Sequence, residues 1–254
     1  MSVRLVDTHC HVDRYPDPNR VLEVARKNGV IVIAVTETAS SYQELAVGLG
    51  ERSQLRLAVG LHPLRAARLG LLETSLFDRL VEETDYVGEV GLDGSRVGKP
   101  TFRAQIDIFE RVLSHRSIES KVLTVHSRAA EKETVERLKQ ARASAILHWY
   151  SGPLGVMEEA LQAGFYFSIN LAMLRSKKGR RILEGLPLDR VLTESDGPYA
   201  RVGSRPGDPS DMSRVVKELA ELWKEDRQVV GEQVFENMTS LYRQALGIQV
   251  PQKT

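Results

Sequence analysis

The sequence predicts a parallel (β/α)8 barrel of the TIM type, folded as one domain across residues 1–254. Three observations predict it. Eight β-rich runs alternate with helical patterns from end to end. No low-complexity linker interrupts the 254 residues, a length that one such barrel fills. No glycine-rich GxGxxG turn follows the first strand, as an open doubly wound sheet binding a dinucleotide would require.

The strand candidates are "VRLVDTH" (residues 3–9), "VIVIAVTE" (30–37), "LRLAVGLH" (55–62), "YVGEVGL" (86–92), "VLTVHS" (122–127), "AILHWY" (145–150), "FYFSIN" (165–170) and "RVLTESD" (190–196). Amphipathic helical segments lie between them, among them "NRVLEVARKNG", "SLFDRLVEET", "FRAQIDIFERVL", "ETVERLKQA" and "PLGVMEEALQAG". Several of these end near a glycine able to form a left-handed C-cap. Two further helices, "SDMSRVVKELAELWK" and "GEQVFENMTSLYRQALG", close the chain, and "PGDPSD" before them reads as a helix start.

Composition narrows the function. Thirty-five basic against 34 acidic residues leave a formal charge of +1, so no global field attracts a polyanion and any such site must be local. The single cysteine excludes an intrachain disulfide and suits a reducing compartment. The first residues lack a signal-peptide pattern, and the longest apolar run, "VIVIAV", is too short for a bilayer. A cytoplasmic protein with no membrane partner is expected.

The histidines are placed unusually. His9 and His11 end the first strand, and residues two apart on a strand face one way. Cys10 between them faces the other way, which argues for a pair of nitrogen ligands. His62 ends the third strand, Glu89 the fourth, His126 the fifth, His148 the sixth and Asp196 the eighth. Those are the C-terminal rim positions, where active sites of this fold are built. Only His115, in a helical region, falls elsewhere. A histidine before proline, as in "GLHP", can serve only to shape a turn. A carboxylate set among apolar residues, as in "YVGEVGL", needs a cation or donors.

Four imidazoles and two carboxylates exceed the three protein ligands of a single catalytic zinc, so two divalent ions (Zn, Mn or Mg) are expected. His9, His11 and Asp196 would hold one, His126 and His148 the other, and Glu89 would bridge them. Asp196 would double as the base that positions the attacking water.

"DTHCHVD", "GLHP", "VGEVGLDG", "VHSR", "LHWYSG" and "TESDGPY" resemble, in order and across nearly the whole chain, the motifs of TatD-family metal-dependent deoxyribonucleases. The resemblance implies a metal-dependent hydrolase barrel that cleaves phosphodiesters of DNA, typically as a 3′ to 5′ exonuclease on single strands. It carries the ligand role onto His9, His11, Glu89, His126, His148 and Asp196, leaves His62 to contact substrate or water, and makes Asp196, Glu89 and His62 the catalytic set. "YPDP", "HSRAA" and "LPLDRVLTESDGPYA" are similar, more narrowly, to the TatD-like nuclease of bacterial Qat anti-phage defence systems, which implies other Qat proteins as partners. Where the family usually has an aromatic residue after "GLD", this chain has Gly94 and Ser95.

For a phosphate backbone, Arg128 beyond the fifth strand offers bidentate contacts. Arg175 and Lys177 in "LRSKKGRR" follow the seventh strand, a frequent phosphate position in barrels. Trp149 and Tyr150 are candidate base-stacking platforms, with barrel packing the other role for Trp149. The alternatives are a small-molecule amide or ester hydrolase on the same scaffold and a partner-regulated component of a defence complex.

Overall fold

A computed structural model describes residues 4–248, so Val3 of the first predicted strand and the last six residues lie outside it. Eight parallel strands follow one another around the barrel: β1 (Leu5–Cys10), β2 (Val30–Val35), β3 (Leu55–Val59), β4 (Tyr86–Gly91), β5 (Val122–His126), β6 (Ser144–His148), β7 (Tyr166–Ile169) and β8 (Val191–Thr193). Each pairs with the next in parallel register, for example Val32 with Leu55 and Phe167 with Val191. The predicted barrel is the observed fold. Strands buried on both faces read as continuous apolar runs, which is why "VIVIAV" carries no alternation.

The seam between β8 and β1 is closed largely by side chains. The Thr8 hydroxyl donates to the Thr193 carbonyl at 3.1 Å, and the Thr193 hydroxyl to the Val6 carbonyl. At the rim, the Asp196 amide donates to His9 O at 2.9 Å and the His11 amide to Gly197 O at 2.8 Å. Two prospective site carriers are thereby sewn to the end of β8.

Helices α1 (Pro18–Lys27), α2 (Ala39–Leu49), α3 (Leu71–Leu80), α4 (Phe102–Leu113), α5 (Glu131–Gln140) and α6 (Leu154–Gln162) cover the outside. Asp17 caps α1 by accepting from the Arg20 amide, with Pro18 at the first position. The sequence pattern marks α2 weakly because that helix buries only Ala39, Tyr42 and Leu45. His115 sits in the turn after α4, not in the helix, and its Nδ1 accepts from the Ser117 amide at 3.3 Å.

The basic run folds as two short helices, α7 (Leu171–Arg175) and α8 (Lys177–Glu184), capped by Asn170 and Ser176. A small hairpin, β9 (Arg201–Val202) with β10 (Arg205–Pro206), precedes α9 (Met212–Trp223). "PGDPSD" is a helix start: Asp208 and Asp211 form a reciprocal capping box. Helix α10 (Arg227–Ala245) begins four residues before the predicted Gly231, because Asp226 supplies the cap. It crosses the N-terminal end of the barrel, where Asn237 donates to Val191 O at 2.7 Å and Tyr242 to Asp85 at 2.8 Å. Among the described residues, the C-terminal end of the barrel is left open. No helix among the described residues is long and apolar enough to cross a membrane.

Candidate metal centre

The open end holds a cavity of about 740 Å³. At its floor lies Glu89, 3% exposed. Strand β4 can bring it there because Gly88 and Gly91, near it on the strand, carry no Cβ. A Cβ on Gly88 would come within 2.2 Å of Thr124 Cγ2, and one on Gly91, at φ +127°, within 2.1 Å of His126 O.

The two Glu89 oxygens face different groups. Oε2 lies 3.2 Å from His11 Nε2, 3.3 Å from His62 Nε2 and 3.6 Å from His9 Nε2. Oε1 lies 2.7 Å from His126 Nδ1 and 3.0 Å from His148 Nε2. Asp196 Oδ1 stands 3.8 Å from His11 Nε2 and 3.9 Å from His9 Nε2. Burial alone would raise the Glu89 carboxyl, but the imidazoles around it, His62 and His148 foremost, outweigh that and hold it well below the usual carboxylate range. Asp196 is pushed up to about 7, chiefly by burial, and its backbone is left-handed at φ +43°. Strain of that kind at a strand end is characteristic of functional sites.

These residues fit divalent cations. His9 Nδ1 meets Thr124 Oγ1 at 2.7 Å, while its Nε2 is buried without a hydrogen bond and faces the cluster. Burial holds the His9 imidazole well below its usual range, and with Nδ1 donating to Thr124 the Nε2 lone pair would face the cluster. His11 Nδ1 and His148 Nδ1 are likewise buried without hydrogen bonds. Among the described residues, three groups bring ligand atoms within 4.8 Å of one another: His9, His11 and Asp196; His9, Glu89 and His148; and His62, Glu89 and His126. Such nitrogen-rich sets with carboxylate oxygens suit Zn, Mn or Fe.

The structure brings all six sequence-predicted ligands together. His62, expected only to touch substrate or water, also stands in a ligand group. Supporting carboxylates were missed. Asp93 Oδ2 meets His126 Nε2 at 2.9 Å. Glu194, fully buried, accepts from Asn170 at 2.8 Å and faces His148 Nδ1 at 3.7 Å. Asp7 accepts the amides of Ser195 (2.9 Å) and His9 (3.3 Å), and burial pushes it up to about 8. The argument that singled out Glu89, a carboxylate in an apolar strand, applies equally to Asp7 and Glu194.

The substrate-contact candidates divide. Arg128 and Trp149 line the cavity. Tyr150 does not: it is 1% exposed, its hydroxyl donates to Pro153 O at 2.7 Å, and its ring meets Phe167 edge-on, so no base can reach it. Tyr199, 53% exposed and edge-on to His11 at 4.9 Å, stands in the cavity wall instead. Arg175 and Lys177 are exposed but outside the cavity lining, since α7 packs on α9 and its last residue, Arg175, faces Glu218 at 3.7 Å.

Thr124→Val keeps the shape packed on Gly88 but removes the oxygen at His9 Nδ1. We expect metal affinity to fall ~10-fold or more, as for other lost partners of ligand histidines, measured by titrating metal into stripped protein.

Comparison with known proteins gives the family. The chain matches the TatD related DNase family over residues 6–243. An uncharacterized metal-dependent hydrolase of Methanocaldococcus jannaschii is 27% identical over 96% of this chain and 99% of its own length. Deoxyribonuclease TATDN3 of Homo sapiens is 29% identical over 78% of this chain and 79% of its own. The crystal structure of YjjV, a TatD homologue from Escherichia coli, superposes with a TM-score of 0.87 at 25% identity, covering 96% of this chain and 99% of that one. The chain therefore belongs to the TatD related DNase family and is a metal-dependent hydrolase.

Proposed function

We propose that this hydrolase is a two-metal deoxyribonuclease that removes nucleotides from 3′ ends of single-stranded DNA. The observation that carries the proposal is Glu89, with one oxygen toward His9, His11 and His62 and the other toward His126 and His148. His9, His11 and Asp196 are assigned to one ion, His126 and His148 to the second, and Glu89 to both. Divalent ions at such a centre supply Lewis-acid stabilisation of the charge that builds on phosphoryl oxygens.

The protein's own groups do the rest. Asp196 orients the attacking water and takes its proton. His62, the ligand-group histidine at the open side of the cavity with His126, contacts the scissile phosphate. Arg128 holds a backbone phosphate by charge-assisted hydrogen bonds, and Trp149 and Tyr199 offer faces to bases. The "YPDP", "HSRAA" and "LPLDRVLTESDGPYA" resemblance supports a cytoplasmic role in anti-phage defence alongside other Qat proteins.

Single-stranded oligonucleotides labelled at either end, incubated with and without divalent ions, test the reading. Metal-dependent release of mononucleotides from the 3′ end is expected. Hydrolysis of small amides or esters without DNA cleavage would replace it with the small-molecule hydrolase, and cleavage only on addition of Qat proteins with the partner-regulated component. Arg128→Ala is expected to raise the KM for oligonucleotides roughly tenfold, the scale of one charge-assisted contact. Reversing Arg175 and Lys177 to glutamate should raise it less.

A further inference from the structure

Glu37 follows β2, is 5% exposed and lines the cavity beside the metal centre. It receives donors from three other loops. Arg65 Nε and Nη2 both meet its Oε2 at 2.7 Å, Arg14 Nη2 meets the same oxygen at 3.1 Å, and the Tyr199 hydroxyl donates to Oε1. Its backbone O also accepts the His62 amide at 2.9 Å. Burial would raise this carboxyl, but Tyr199 and Arg65 outweigh it and hold it below its usual range.

Arg14 Nε also meets Asp13 Oδ2 at 3.2 Å, so Arg14 has two carboxylate partners, while among the described residues Arg65 has only Glu37, which it shares with Arg14. Arg65 lies in the cavity lining with its side chain 43% exposed, and its Nη1 makes no hydrogen bond among the described residues. A guanidinium fixed along one edge and open on another is preorganised for a phosphate oxygen. Tying four loops together would by itself account for a stabilising network. It would not by itself require a partly exposed guanidinium in the lining of a cavity that also holds Arg128 and the metal centre.

We propose that Glu37 is a positioning residue that holds Arg65, with Arg14 behind it, as a second phosphate contact, so that the cavity takes a substrate with at least two linked phosphates. The proposal rests on the deoxyribonuclease reading and adds to it a preference set by the phosphate next to the scissile one.

The test compares a thymidine dinucleotide containing one phosphodiester with the same dinucleotide bearing an extra 5′-phosphate or an extra 3′-phosphate, using the metal-loaded wild-type protein, Arg65→Ala and Glu37→Gln. Wild type should favour one phosphorylated form at least tenfold in kcat/KM, mainly through KM, and both variants should lose most of that advantage. Arg65→Lys should recover part of it. A network that is merely structural would lower all three rates together and leave the ratio intact, which overturns the proposal. Equal use of all three dinucleotides by wild type also overturns it, leaving the deoxyribonuclease reading standing. Failure to cleave any of them removes both. Should Glu37→Gln not fold, Arg65→Ala, at a partly exposed side chain, decides alone.

Discussion

Glu89→Gln is expected to lower the occupancy of both proposed ions and to cut turnover at least ~100-fold, the upper range for losing a partner at a metal site. Five imidazole nitrogens surround this carboxylate, two within 3.0 Å of Oε1 and three between 3.2 and 3.6 Å of Oε2. Glutamine keeps the shape but removes the charge and puts an amide donor where one oxygen stood. Whichever way it turns, one half of the site faces hydrogens rather than a lone pair. Elemental analysis and a hydrolysis rate measured on the same preparation decide the matter. A variant with full metal content and near-normal rate would make Glu89 a structural residue.

Removing the metal should have the second large effect. The four-histidine set predicts that the isolated protein carries zinc or manganese, at about two equivalents if Glu89 bridges, and that added Mg or Mn supports turnover. After chelation, hydrolysis should fall to background. Stability should fall too, because an ion that binds only the folded chain at 100 times its Kd contributes about 2.7 kcal/mol. For a chain of this size that is a drop in Tm of about 5–10 °C. Stripped protein with unchanged Tm and undiminished turnover would remove metal from the chemistry. Elemental analysis without a transition metal, with turnover in Mg alone, would remove only the preference for zinc or manganese.

The ring of supporting residues was less legible than the ligands themselves. Asp93, Glu194 and Asp7 stand on the same strand ends as the ligands, yet their partners, His126, His148 and the Ser195 amide, are far away in the chain. Glu37, Arg14, Arg65 and Tyr199 come from four separate loops whose meeting depends on how the barrel closes.

By itself the sequence determined the barrel and which residues meet at the candidate centre, because both follow from local pattern. Short, largely apolar strands alternate with amphipathic helices, and in a parallel barrel the end of every strand reaches the same rim, so a histidine at a strand end has one destination. The tertiary structure alone decided which side chains beyond the rim face the cavity. Trp149 and Tyr150 are neighbours, but a left-handed backbone at Trp149, φ +39°, puts one in the cavity wall while the other packs on Phe167 in the core. Arg175 and Lys177 belong to a basic run that the chain order places beside the rim, and the docking of α7 against α9 turns Arg175, its last residue, toward Glu218. The direction of a side chain that follows a strand is set by loop torsions and helix packing, and these depend on residues far off in the chain.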